Sequence, residues 1–281
     1  QYQQSQGKYN SVTGIGFPSD SYQKIASAAT KSGGSSSQTD FRFLSYFLRS
    51  NYTFNEKYIV SASGRIDASS RFGKNSRTGF FPAVSAGWIL SNEKFLMDNK
   101  FVSFLKARAS YGIVGNSEIG NFPQMGLFTG DAGYAGAAGQ RPSQLRNDDL
   151  KWETTITRNI GLDFGLKNDR ISGSIDVYQK TTSDLLATVN VPAGTNFTNA
   201  ILTNVGGMKN TGIELMTNFG LIAKKDMRLD MMANATFNKN EVTKLAQIND
   251  PKSPGLLVGG ISGIDGIGGI GGVGGVGRRS W

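Results

Sequence analysis

Residues 44–88 read LSYFLRSNYTFNEKYIVSASGRIDASSRFGKNSRTGFFPAVSAGW. Two alternating runs flank the short polar turn Asn55-Glu56-Lys57. Before the turn, Leu44, Tyr46, Leu48, Ser50, Tyr52 and Phe54 take every second place, with Arg49, Asn51 and Thr53 between the last of them. After it, Tyr58, Val60, Ala62, Gly64, Ile66 and Ala68 alternate with a set holding Lys57, Ser61, Ser63, Arg65 and Asp67. A period of two puts one set on each face of a strand. Each run is about 11–13 residues long, roughly twice the common globular strand. Tilted strands of about 9–11 residues cross a bilayer. An apolar outside, a polar inside and aromatics near the strand ends make the pattern of a transmembrane β-barrel.

The same pattern predicts eight long strands in a meander, at 41–54, 57–70, 79–90, 101–114, 154–167, 170–182, 211–223 and 227–238. The strand over 101–114 alternates most clearly. Leu105, Ala107, Ala109, Tyr111 and Ile113 share one face, and Lys106, Arg108, Ser110 and Gly112 the other. Lipid-facing Lys or Arg at mid-depth costs about 2–4 kcal/mol each, so the cationic face must meet water. Turns at 55–57, 91–100, 168–169 and 224–226 are short, whereas the linkers 71–78, 115–151 and 183–210 are mostly longer. In outer-membrane barrels short turns face the periplasm and long loops face outside. Strands that begin at Lys57, Phe101, Arg170 and Met227 therefore run outward. The inward set includes Arg49, Arg65, Lys106, Arg108, Asp163, Asp176, Glu214 and Arg228. A closed eight-stranded barrel is filled by side chains and would desolvate these charges at several kcal/mol each. The expectation is an all-β, antiparallel portion of a larger transmembrane barrel: an open curved sheet with 41–54 and 227–238 as its edges.

An ordered set of sequence pieces carries a family resemblance over 41–245. They are SYFLRSNYTFNEKY, RIDASSRFG from Arg65 to Gly73, GFFPAVSAGW, LKARASYGIVGNSEIGNF, LKWETTITRNIGLDFGL, DVYQKTTSDLL and NVGGMKNTGIEL. Together these resemble the C-terminal barrel region of the SusC/RagA-type TonB-linked, TonB-dependent outer-membrane transporters. Ala68 stands where that family usually has Gly. The resemblance implies a barrel of about 22 strands with an N-terminal plug, energised by the TonB complex through an N-terminal part that this chain lacks. It also implies a SusD-like surface lipoprotein as partner, oligosaccharides or peptides as cargo, and the outer membrane of a Gram-negative, Bacteroidetes-like cell as location. Without the plug, the TonB-contacting segment and the last strands, this chain is not expected to transport by itself. Two other readings stay open at this level. A small passive outer-membrane barrel or adhesin requires Phe41 to pair with Asn238. A soluble all-β binding module requires a second sheet over the outward residues.

Composition bounds the chemistry. Of 281 residues 38% are hydrophobic, and no run of 18 apolar residues exists. A transmembrane helix is therefore absent from the pattern, which barrel strands do not need. The net charge of +9 comes from cations scattered through strands and turns. That dispersion reads as solvated lumen and loop charge, with no nucleic-acid partner. The chain has no Cys and no His. Disulfides, a Ser-His-Asp arrangement and His metal ligands are excluded. No enzymatic activity, cofactor or metal is expected. Gly266-Ile267-Gly268-Gly269-Ile270-Gly271 matches G-x-G-x-x-G, but that motif means a dinucleotide only between a strand and a helix. Asp148-Asp149 reads as solvated loop charge.

Residues 1–40 are polar and rich in small side chains, and are expected as loop, with 1–11 as the possible end of a strand. Residues 246–281 form a Gly-rich, atypical tail. The long loops offer Phe128, Tyr134, Arg141 and Phe197 as candidate ligand or partner contacts, although such aromatics often pin their own loop. Tyr52, Phe54, Tyr58 and Trp88, with Tyr46, are candidate members of an interfacial aromatic girdle.

Overall fold

The computed structural model describes residues 1–190, 200–224 and 226–245. Eleven strands run in chain order: β1 (Tyr2–Ile15), β2 (Thr30–Phe54), β3 (Tyr58–Ser69), β4 (Thr78–Ile89), β5 (Val102–Asn116), β6 (Leu127–Thr129), β7 (Arg141–Gln144), β8 (Glu153–Leu166), β9 (Ile171–Asn190), β10 (Ala200–Lys224) and β11 (Met227–Leu245). Nine of them make one antiparallel sheet in the order β1-β2-β3-β4-β5-β8-β9-β10-β11, and β6 pairs with β7 in a separate hairpin. No described helix is long and apolar enough to cross a membrane.

The turn that anchors the reading is tight. Asn55 and Glu56 hold φ of 51° and 56°, the left-handed values that the two central residues of a type I′ turn adopt. Lys57 donates its backbone N–H to the Phe54 carbonyl at 3.0 Å. From there Tyr58 opposes both Phe54 and Trp88, and Val60 opposes both Tyr52 and Ala86. The outward set is thereby continuous across strands. Ala86, Ala109, Ile160, Val177, Ile213 and Phe237 stand in one register row. Their outer side is bare: Ile160 is 70% exposed and Phe237 73%. Among the described residues no second sheet covers this face, as a soluble module would need.

The sheet is open. Phe41 pairs with Ser5 on β1, and Asn238 pairs with Gly212 on β10. The first edge is therefore β1, not the strand over 41–54, while β11 is the other edge as expected. The stretch expected as loop over 1–40 is largely strand, with Tyr9 opposite Ser37 and Tyr2 opposite Leu44. Its residues show no apolar alternation because the ladder there rests on main-chain pairing, helped by a 2.7 Å bond between the Ser11 and Ser35 hydroxyls, with polar side chains on both faces. Likewise 183–210 is not all loop: β9 continues to Asn190 and β10 begins at Ala200. The linker 115–151 contains the hairpin β6-β7. The Gly-rich tail 246–281, its G-x-G-x-x-G run and Phe197 lie outside the described residues.

Connections alternate between the two ends of the sheet, and all but one of those at the first end, the connection after Ile89, are shorter than any at the second. One end carries 55–57, the connection after Ile89, 167–170 and the turn between Lys224 and Met227; the other carries 16–29, 70–77 and 117–152. Buried aromatic packing sits at the second end, where Phe72 and Leu150 are fully buried and Trp152 and Phe81 nearly so.

Candidate functional site: the outer loop platform and the lumen-facing wall

At the long-loop end, three connections are bolted to one another. Trp152 lies 4.5 Å from Phe72, 5.3 Å from Phe81 and 6.3 Å from Phe43, ring centre to ring centre. Its indole N–H donates to the Arg77 carbonyl at 3.2 Å. Gly73 donates its N–H to Leu150 at 2.9 Å, and a Cβ at Gly73 would collide with the Asp148 carbonyl. Asn75 donates to Asp149 at 2.9 Å, and Lys74 and Arg146 both reach Asp148. Asp148-Asp149 thus ties two loops together. The Arg146 guanidinium, bonded to Asp148, holds that carboxyl below the usual carboxylate range. Arg71 stacks 4.2 Å over Phe41, donates to Ser117 and Asn121, and pairs with Glu118. Asn204 exchanges bonds with the Lys151 backbone and donates to the Asp184 carbonyl. Lys151 pairs with Asp184 at 3.0 Å.

Above this platform projects the hairpin. Gln144 donates to the carbonyls of Phe122, Pro123 and Met125, fixing its base. Arg141 grips Asp131 with two bonds of 2.9 and 2.8 Å. That grip lowers the Asp131 carboxyl's affinity for a proton and raises the Arg141 guanidinium's. The tip bends back through mutual backbone bonds between Tyr134 and Ala137. Phe128 is 68% exposed and Tyr134 86%. The structure brings Phe128, Tyr134 and Arg141 onto one hairpin, with Arg141 engaged as a brace.

The inward wall is polar and cross-linked. Arg108 reaches over β8, donating to Asp163 at 3.0 Å and to Asp176 on β9 at 2.6 Å. It can do so because Gly161 lies beneath: a Cβ there would stand 2.6 Å from the guanidinium carbon and 2.7 Å from the Asp176 carboxylate. A second link joins β2 and β3, where Ser45 and Arg65 both donate to Asp67.

At the short-turn end the rings of Tyr52, Phe54, Tyr58 and Trp88 form a ladder with centres 6.5, 6.4 and 6.2 Å apart. Glu93 closes it, accepting bonds from the Tyr58 hydroxyl, the Trp88 indole N–H and the Lys57 ammonium. Those donors, Lys57 foremost, hold the Glu93 carboxyl below its ordinary range. A depressed carboxyl contributes stability above its unfolded pKa and loses it as pH falls through the folded value. Acidification from pH 7 to 5 is therefore expected to leave this corner unchanged. Glu93→Gln, which removes the charge at any pH, is expected to lower the melting temperature of the protein by no more than a few degrees. A midpoint that already falls between pH 7 and 5 in the parent protein would contradict the assignment.

Sequence reasoning missed Trp152, Arg71, Gln144, Asn204 and Glu93, whose partners lie far along the chain. It also passed over Arg158. That residue shares the outward parity of Ile160 and Leu162, and alternation alone would have flagged it. Among the described residues no cluster of three acidic or other metal-ligating side chains forms a metal site.

Comparison with known proteins gives this geometry a context. The family model described as "TonB dependent receptor-like, beta-barrel" matches residues 1–263. TonB-dependent receptor SusC of Bacteroides thetaiotaomicron is 41% identical over 218 residues, covering 74% of this chain and 21% of its own length. TonB-dependent receptor P39 of Formosa agariphila is 40% identical over 219 residues, covering 76% and 20%. Among solved structures, the RagAB peptide importer in its 'open-open' state superposes with a TM-score of 0.80 at 34% identity, covering 87% of this chain and 27% of that one. The chain spans about a fifth of the length of the curated relatives it matches.

Proposed function

The chain belongs to the TonB dependent receptor-like β-barrel family, and from that premise we propose that it forms the wall of a SusC-like nutrient importer in the outer membrane of a Gram-negative, Bacteroidetes-like cell. The observation that carries the reading is the two-faced open sheet. Its apolar outer side is bare, its inner side is charged and cross-linked, and its long loops gather at one end. Among the described residues the sheet has two unpaired edges, which suits a segment of a wide, watery barrel and counts against a closed eight-stranded pore. The work of the complete protein is import, not catalysis. Oligosaccharides or peptides are the proposed cargo, with a SusD-like lipoprotein seated over the loop platform and the TonB complex supplying energy through the rest of the receptor. Phe128 and Tyr134 are the contacts proposed to meet cargo or lipoprotein. Phe197 belongs to the same proposal. Arg141 shapes the hairpin that presents them. Tyr52, Phe54, Tyr58 and Trp88 are the proposed periplasm-side girdle, where amphipathic rings sit at headgroup level.

The test is orientation in intact cells. A protease site at Gly136 of the full-length receptor should be cut from outside, and one at Asn168 should not. Cutting at Asn168 and protection at Gly136 would reverse the topology and refute the assignment of the loop platform to the cell surface. Phe128→Ala combined with Tyr134→Ala should then lower uptake of the cognate nutrient without lowering the amount of receptor in the membrane.

A further inference from the structure

Resting on the reading of this sheet as a barrel wall in lipid, we propose that the outward row around Arg158 binds the phosphate of an anionic lipid headgroup in the outer leaflet. The row is set by register. Tyr111 opposes Arg158, Arg158 opposes Gln179, Gln179 opposes Thr211, and Thr211 opposes Lys239. Directly toward the short-turn end lies the apolar row Ile160, Val177, Ile213 and Phe237. The two rows line a shallow hollow on the outer face. Its upper rim is polar and cationic, and its floor is hydrocarbon.

Depth makes Arg158 unusual. On β2 the first outward charge above the short-turn end is Arg42, twelve residues from Phe54, and on β11 it is Lys239, twelve residues from Met227. Arg158 stands only eight residues from Leu166. At about 3.4 Å per residue and a tilt of about 40°, these positions lie about 31 Å and about 21 Å above the turn end. An outward apolar band is about 25 Å tall, and a cation inside it is destabilising unless compensated. Within the chain the compensation is slight. The guanidinium donates one bond to Gln179 at 3.3 Å and lies 5.8 Å from the Tyr111 ring centre. Among the described residues no carboxylate pairs with it.

The groups facing the hollow from every neighbouring strand favour an anion. Arg158 and Lys239 belong to the row, and Lys209 stands in the next row up, opposite Glu241. Glu241, the acidic group on this patch, is 3.9 Å from Lys239 and far from Arg158 by register. A guanidinium can reach upward along its apolar stem to the headgroup level, where it offers a planar fork of donors that matches phosphate. The acyl chains of the same lipid would lie over Ile160, Val177, Ile213 and Phe237. A phosphate on a lipid satisfies both halves of the hollow at once.

The experiment uses the full-length receptor in detergent, titrated with phosphatidylglycerol in mixed micelles and read by native mass spectrometry. Arg158→Gln is expected to weaken retention of the first phosphatidylglycerol by about tenfold, the scale of one lost charge-assisted contact. Adding Lys239→Gln should weaken it further. The inward variant Lys106→Gln should retain the lipid like the parent. Unchanged retention in Arg158→Gln overturns the proposal, as does an equal loss in Lys106→Gln. Loss of receptor-to-receptor pairing in Arg158→Gln with lipid retention intact also overturns it, because the hollow would then be a protein contact. A receptor that stays folded and monodisperse without detergent would instead fail the barrel reading itself.

Discussion

Ile175→Arg is expected to abolish accumulation of the full-length receptor in the outer membrane. Ile175 faces outward on β9 between Leu162 and Leu215, four residues above the strand's short-turn end. That places it about 10 Å into the apolar band, near its middle. A guanidinium there has no polar neighbour within the row, which holds Trp88, Ala107, Leu162, Leu215 and Ala235. The cost at mid-depth is about 2–4 kcal/mol, enough to move most of an assembly equilibrium. Ser110→Arg makes the same chemical change on the inward face, beside Ser85 and Asn159, where water hydrates it. The measurement is the heat-modifiable receptor band in membrane fractions. It should vanish for Ile175→Arg and persist for Ser110→Arg. Equal loss in both would mean that the outward face does not meet lipid.

Trp152→Ala should release the loop platform while leaving the barrel standing. The side chain is almost fully buried among Phe72, Phe81 and Phe43 and is bonded to the Arg77 carbonyl. Truncating a buried Trp costs about 3–5 kcal/mol. The loss falls on the contacts between the 70–77 and 117–152 connections, and the ladder hydrogen bonds of the strands below are untouched. Limited proteolysis of intact cells should then cut within 117–152, at sites that are protected in the parent. The heat-modifiable band should remain. Trp152→Phe keeps most of the packing and loses the N–H bond, so it should be cut more slowly than Trp152→Ala. Unchanged protection in Trp152→Ala would show that the bonds through Asp148, Asp149 and Asn204 hold the loops unaided.

The strands were legible in the residues wherever lipid dictates one face. Tyr58–Ser69 and Val102–Asn116 alternate because every second side chain has to be apolar. Above the membrane that demand disappears. Thr30–Asp40 pairs with β1 while carrying Ser, Gly, Gln and Thr on both faces, so its composition resembles that of a loop. The platform was hidden for another reason. Its bonds run from side chain to distant backbone, as from Asn204 to Lys151 or from Gln124 to Ser70, and no local period records such a pairing. The exposed rings were legible as candidates, since Phe128 and Tyr134 stand among small polar residues. That they share a braced hairpin required the Arg141–Asp131 pair to be seen in space. Phe197 lies outside the described residues.

The meander carries a consequence for how the wall is built. Each ladder from β1 to β5, and again from β8 to β11, joins strands that follow one another in the chain. Successive hairpins can therefore zip one onto the next, with low sequence separation at each addition. The β5–β8 ladder differs, because Asn116 must meet Glu153 across the whole platform segment. Closing that span costs more entropy than closing a short turn, although the cost grows only with the logarithm of length. The span shortens its own effective length by folding β6 onto β7 and by seating Trp152 against the connection that follows β3. Docking of that segment on an already formed β3–β4 hairpin would thus be the slow, ordering event of assembly. The chain's two runs of hairpins would form on either side of it as separate halves.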